Sequence, residues 1–155
     1  VCFQKMQQIP AIIVQGHRVA SGLNGNPRFP GGTLKMQLPL FKALGLDLSH
    51  FYLGTLNVSV APLAYRLGAP RHQFRDVKWH PVEPPEDFSF CDVRVVLDAA
   101  EAVEGFVYYP HPETKPEHFQ APDVLELLLP WMPTFAYGNR IELQVPEAQM
   151  MFVRQ

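Results

Sequence analysis

Gly54-Thr55-Leu56-Asn57-Val58-Ser59-Val60 alternates polar and apolar residues from Thr55 onward, the period-2 signature of a strand with one buried face. Leu56, Val58 and Val60 form the apolar face, so Thr55 and Asn57 project together from the other. Gly54 leaves the backbone beside them open to close approach. A hydroxyl and an amide oxygen side by side suit Mg²⁺, a hard cation that prefers oxygen ligands and completes its shell with water or phosphate. An ordinary strand carrying two outward polar residues has the same pattern.

Upstream, Pro10 to Ser21 predicts a strand built on Ile12, Ile13, Val14 and Val19. It leads into Ser21-Gly22-Leu23-Asn24-Gly25-Asn26-Pro27, rich in residues that tolerate positive φ. Consecutive backbone N–H groups in such a turn can form a nest for phosphate oxygens, although an ordinary tight turn reads the same way. Phe29-Pro30-Gly31-Gly32-Thr33 marks a second turn. A short helix is expected from about Pro39 to Leu44, with Leu38, Phe41 and Leu44 on one face, Pro39 in the first turn and Gly45 as the stop.

Downstream, Arg66 to Arg75 reads as a basic loop and Phe74 to Val82 as a strand, before a Pro-rich loop at 83–86. Phe88 to Leu97 predicts a strand with Cys91, Val93, Val95 and Leu97 inward and Asp92 and Arg94 outward. Gly105 to Tyr109, Val124 to Leu129 and Arg140 to Val145 complete six or seven strands. Glu126 interrupts the apolar run of its strand, facing either solvent or a pocket.

The 155 residues suffice for one domain, 1–155, with its core at about residues 10–146. Sixteen prolines and ten glycines exclude a helical bundle and favour a mainly β fold. A net charge of −2 gives no electrostatic basis for a nucleic-acid or anionic-membrane partner. No apolar run reaches membrane-spanning length, and no charged-then-apolar leader is present. Cys2 and Cys91 make neither a disulfide framework nor a zinc site, which predicts a reducing, cytoplasmic location. His111 and His118 with Glu113 and Glu117 match no ligand spacing, and Pro112 and Pro116 prevent a regular helix presenting them. Arg28 and Lys35 flank the candidate phosphate turn.

Gly16-His17-Arg18-Val19-Ala20-Ser21-Gly22-Leu23, then Gly54-Thr55-Leu56-Asn57-Val58, resembles the archaeal-type, CTP-dependent riboflavin kinases in order and spacing. Glu104-Gly105-Phe106-Val107-Tyr108-Tyr109-Pro110, Asp123-Val124-Leu125-Glu126-Leu127-Leu128-Leu129-Pro130 and Gly138-Asn139-Arg140-Ile141-Glu142-Leu143 are similar to three later segments of that family. The likeness runs from about Gly16 to Val145. It implies a small Greek-key β-barrel of the cradle-loop type with one short helix. It further implies transfer of the γ-phosphate of a nucleoside triphosphate, CTP by resemblance, to riboflavin, giving FMN. Ser21, Gly22, Leu23, Asn24, Gly25 and Gly54 would then bind nucleotide, and Thr55 and Asn57 would hold Mg²⁺. Glu126 would bind the substrate and accept the proton of its ribityl hydroxyl, with Thr114 as a second substrate-binding residue.

The chain departs from the family where S-G-L-N-G-N replaces S-G-L-G-E-G, and where the apolar Trp131-Met132-Pro133-Thr134-Phe135 replaces a more polar helix. Those apolar residues would either line the flavin pocket or plug the end of the barrel. The departures keep open a non-catalytic ligand-binding or interaction barrel of the same descent, or a kinase for another small alcohol. No Walker A or protein-kinase motif occurs. That is compatible with phosphoryl transfer, which asks a protein mainly for alignment, a metal on the phosphates and donors for the moving charge.

Overall fold

Alternation of apolar and polar residues becomes strand along most of the chain. The computed structural model describes residues 5–14, 33–98, 101–114, 121–130 and 136–155. In order, these form β1 (Met6–Val14), α1 (Thr33–Ala43), β2 (Leu56–Ser59), β3 (Leu63–Leu67), β4 (His72–Val77) and β5 (Glu86–Asp98). They continue as β6 (Glu101–Pro110), a 3₁₀ turn (Pro112–Thr114), β7 (Val124–Leu128), β8 (Arg140–Pro146) and β9 (Met150–Arg154).

Seven strands lie in one antiparallel sheet in the order β4-β5-β6-β7-β2-β1-β8. β5 also pairs with β8, so six of the seven close into a ring. The length of β5 makes this closure feasible. Its first half takes β4 (Phe74 opposite Phe88), its second half takes β8 (Val95 opposite Leu143), and β6 runs along the other edge. β3 and β9 form a separate two-stranded ribbon.

One alternating set from every ring strand meets in a single cluster. Ile9, Ala11 and Ile13 come from β1, Cys91, Val93 and Val95 from β5, and Leu125 and Leu127 from β7. Val58, Val107, Ile141, Leu143 and Val145 complete the set from β2, β6 and β8. A second cluster lies on the opposite face, where α1 lays Leu34 and Phe41 over Phe88, Phe90, Tyr108 and Leu128. The Phe41 ring meets Phe88 and Phe90 edge-on at 5.0 and 5.2 Å, a favoured aromatic geometry.

The helix begins at Thr33, a turn and a half before the expected start, and Pro39 lies inside it. Its buried stripe is Leu34, Gln37 and Phe41, whereas Leu44 falls past the helix and is 53% exposed. Gly45 does end the helix. At φ 103° it closes a paired cap in which Leu46 N–H donates to Phe41 O at 2.9 Å and Gly45 N–H to Lys42 O at 3.0 Å.

The expected basic loop at 66–75 instead contains the last two residues of β3 and the first four of β4. β3 is half-exposed along most of its length; Leu63, Tyr65 and Leu67 do alternate toward the ring core, but over only five residues that straddle the start of the expected loop. β9, its partner, is not expected because Met150-Met151-Phe152-Val153 is apolar in succession and shows no period of two. β4 ends at Val77, short of Val82, because His80 Nδ1 accepts from the Val82 and Glu83 N–H groups at 3.1 Å each and folds the chain into a turn. Among the described residues no helix is long and apolar enough to cross a membrane.

Two outcomes follow from the packing. A Cβ built on Gly105 would stand 2.0 Å from Leu128 O, so Gly105→Ala lowers the unfolding free energy by roughly 2 kcal/mol or more in urea titration. Burial, with a smaller contribution from the Asp92 charge, pushes the Cys91 thiol from 9.0 up to about 12. The folded chain therefore holds this proton more tightly than the unfolded one, and that contribution to stability fades as pH rises from 9.0 toward 12. At pH 8, mass-mapped thiol labelling modifies Cys91 only after unfolding.

Candidate functional site

Val14, Asn57, Glu126 and Tyr108 stand opposite one another across β1, β2, β7 and β6. Register partners share a face. Leu125 and Leu127 point into the ring, so Glu126 points out of it, with Asn57 on one side and Tyr108 on the other. The corner before β2 is pinned to the end of β7 by Tyr52 N–H donating to Leu129 O at 3.0 Å, and Gly54 N–H donates to Tyr52 O at 2.9 Å. Gly54 is buried in that corner.

Thr55, carried by this corner, brings its Oγ1 to 3.2 Å from Asn57 Oδ1 and 3.2 Å from Glu126 Oε1. Three oxygens therefore converge, and the Thr55 hydroxyl has one proton for two acceptors. Asn57 is only 6% exposed, and among the described residues nothing accepts from its amide nitrogen. The donor set of hydroxyl, amide oxygen and carboxylate is the hard-oxygen kind that fits Mg²⁺ rather than zinc or copper. Among the described residues no group of three His, Cys, Asp or Glu side chains is arranged for a metal.

On the other side of Glu126, the Tyr108 hydroxyl donates to Gln37 Oε1 of α1 at 2.6 Å. Burial first, then the charges of Glu126 and Glu86, hold the Tyr108 phenol well above its ordinary pKa. It remains a protonated donor. Neither Tyr108 nor Gln37 was expected at a site. The available signal was Gln37 itself, a polar residue at core-facing spacing between Leu34 and Phe41.

Ser21, Gly22, Leu23, Asn24 and Gly25 lie outside the described residues, as do Arg28, Glu117, His118 and the 131–135 segment. The described residues at either end of segment 15–32 are informative. Val14 faces Asn57 across the β1–β2 ladder, and α1, which begins at Thr33, carries the Gln37 that meets Tyr108. Lys35 is exposed on α1.

Thr114 has a different setting. Its Oγ1 accepts from Asp87 N–H at 3.0 Å and donates to His111 O at 3.0 Å, tying the 3₁₀ turn to β5. The same turn carries a second polar chain. Ser89 Oγ lies 2.7 Å from His111 Nε2, and His111 Nδ1 lies 3.1 Å from Glu113 Oε1. The connectivity is that of a serine hydrolase triad. However, Ser89 is fully buried while Glu113 is the exposed end, the reverse of what an incoming acyl group requires. The chain satisfies both nitrogens of a buried imidazole.

No known protein-family model matches the chain, and no match was found among curated proteins.

Thr114→Val leaves the Asp87 N–H without its acceptor and lowers stability by about 1–2 kcal/mol in denaturant titration. A fluorophosphonate probe, read by mass spectrometry, leaves Ser89 of the folded protein unlabelled; covalent labelling there would contradict the assignment of a structural role.

Proposed function

We propose that the protein is a riboflavin kinase-like phosphotransferase that moves the γ-phosphate of a nucleoside triphosphate, CTP by resemblance, to the terminal hydroxyl of riboflavin. The observation that carries this reading is the convergence of Asn57 on β2, Glu126 on β7 and Thr55 in the corner before β2 onto one cluster of oxygens. Those three residues stand in the segments that resemble the family, and the ring of six strands supports the Greek-key, cradle-loop barrel that the resemblance implies.

In this reading Thr55 Oγ1 and Asn57 Oδ1 would hold Mg²⁺, which would supply charge neutralisation on the triphosphate. Glu126 orients the acceptor hydroxyl and takes its proton on Oε as that oxygen bonds to the γ-phosphorus, while the bond to the departing nucleoside diphosphate breaks. Gly54 keeps the corner beside Thr55 free of side chain for the phosphates. By the resemblance, Ser21, Gly22, Leu23, Asn24 and Gly25, which lie outside the described residues, would bind the nucleotide. The Thr114 hydroxyl is already engaged by Asp87 and His111, so this reading places the acceptor's contacts on Glu126.

The test is chromatographic detection of FMN from riboflavin and Mg²⁺ with CTP, ATP, GTP or UTP in parallel. The wild type forms FMN with one donor, and Glu126→Gln lowers kcat by about a hundredfold or more. Asn57→Ala loses Mg²⁺-dependent turnover. Folded wild-type protein that makes no FMN with any donor would refute the kinase reading; tight flavin or nucleotide binding without turnover would then point to the non-catalytic barrel.

A further inference from the structure

The residues opposite Glu126 on its two neighbouring strands each lead to a primary amide. Asn57 stands opposite Glu126 on β2, and Gln37 reaches from α1 to Tyr108, which stands opposite Glu126 on β6. Gln37 is 2% exposed, and among the described residues nothing accepts from its Nε2. A buried amide whose N–H groups meet no acceptor among the described residues is unfavourable in an apolar setting. Yet Gln37 occupies the middle of a stripe whose other members, Leu34 and Phe41, pack into an aromatic cluster.

The orientation of the amide is set by its partner. The Tyr108 phenol stays protonated next to the Glu126 and Glu86 charges, so it donates, and the atom it meets at 2.6 Å is the Gln37 carbonyl oxygen. Nε2 is the end left over. Asn57, Glu126 and Tyr108 share one face, and Tyr108 holds the Gln37 amide over it, so that face carries a carboxylate acceptor with amide donors associated with the strands on either side. A chain of hydroxyls complements such a face, because each hydroxyl oxygen accepts from an amide while its proton goes to the carboxylate.

We infer that Gln37 is a specificity-determining residue of the Glu126 site, its Nε2 donating to a hydroxyl oxygen on a polyol arm of the acceptor alcohol. The inference rests on the kinase reading and goes beyond it by assigning recognition of the polyol to α1. Tyr108 acts through Gln37 as a positioning residue. Removing the amide then weakens ligands that carry the arm and leaves those without it untouched.

Flavin fluorescence titrations with riboflavin, and with lumichrome, which has a related fused ring but no polyol, separate the two contributions. Gln37→Leu weakens riboflavin roughly tenfold, the scale of one hydrogen bond, and leaves lumichrome unchanged. Tyr108→Phe gives a smaller loss with the same selectivity, and it tests the inference even if the leucine variant does not fold. Equal loss of both ligands, or no loss of riboflavin in the folded variants, overturns the role of Gln37 while leaving the kinase reading intact. A wild type that binds neither ligand overturns the kinase reading, and the inference with it.

Discussion

The pairing register between β2 and β7 is the constraint on which the candidate site depends. Val58, Leu125 and Leu127 must all enter the ring to complete its core, and with side chains alternating, Asn57 and Glu126 must then leave it together. A slip of one residue would send Glu126 into a cluster of Leu, Ile and Val, where an unpaired carboxylate is strongly disfavoured. Hydrophobic burial on one face thus fixes polar geometry on the other. Thr55 joins the pair because the Tyr52–Leu129 hydrogen bond holds the preceding corner against the end of β7.

The same logic extends outward through β5. Its thirteen residues serve β6 on one edge and divide the other between β4 and β8. The inward residues of its second half close the ring. The opposite face of its first half offers Phe88 and Phe90 to α1, and this docking delivers Gln37 to Tyr108. Core and site are therefore not separate designs. The apolar contacts that seat the helix also decide which polar groups surround Glu126.

Much of this was legible in the sequence wherever one face is buried and the other is not. Phe88 to Leu97 and Arg140 to Val145 alternate cleanly, and β5 and β8 follow with the expected inward residues. The Thr55–Asn57 pair and the lone Glu126 were visible as departures from apolar patterning, and the structure brings all three together. β3 and β9 were less legible, because β3 alternates over only five residues and β9 is a continuous apolar run up to Val153, although one face of their ribbon packs on the ring core. Pro39 suits a first turn and so points to a late helix start, whereas it lies exposed inside α1 and the stripe that packs on the aromatic cluster starts at Leu34. Gln37 and Tyr108 escaped notice since their meeting is a tertiary event between residues far apart in the chain.

The account stands on Thr55 and Asn57 forming, beside Glu126, one site for a divalent cation and the phosphates it accompanies. Crystals grown with Mn²⁺ in place of Mg²⁺ and with a cytidine nucleotide would test this most directly, through the anomalous signal of the manganese. The account predicts a peak within coordination distance of Thr55 Oγ1 and Asn57 Oδ1, bridged to the nucleotide phosphates. Manganese and nucleotide bound elsewhere, with the Thr55 hydroxyl still shared between Asn57 and Glu126, would contradict it.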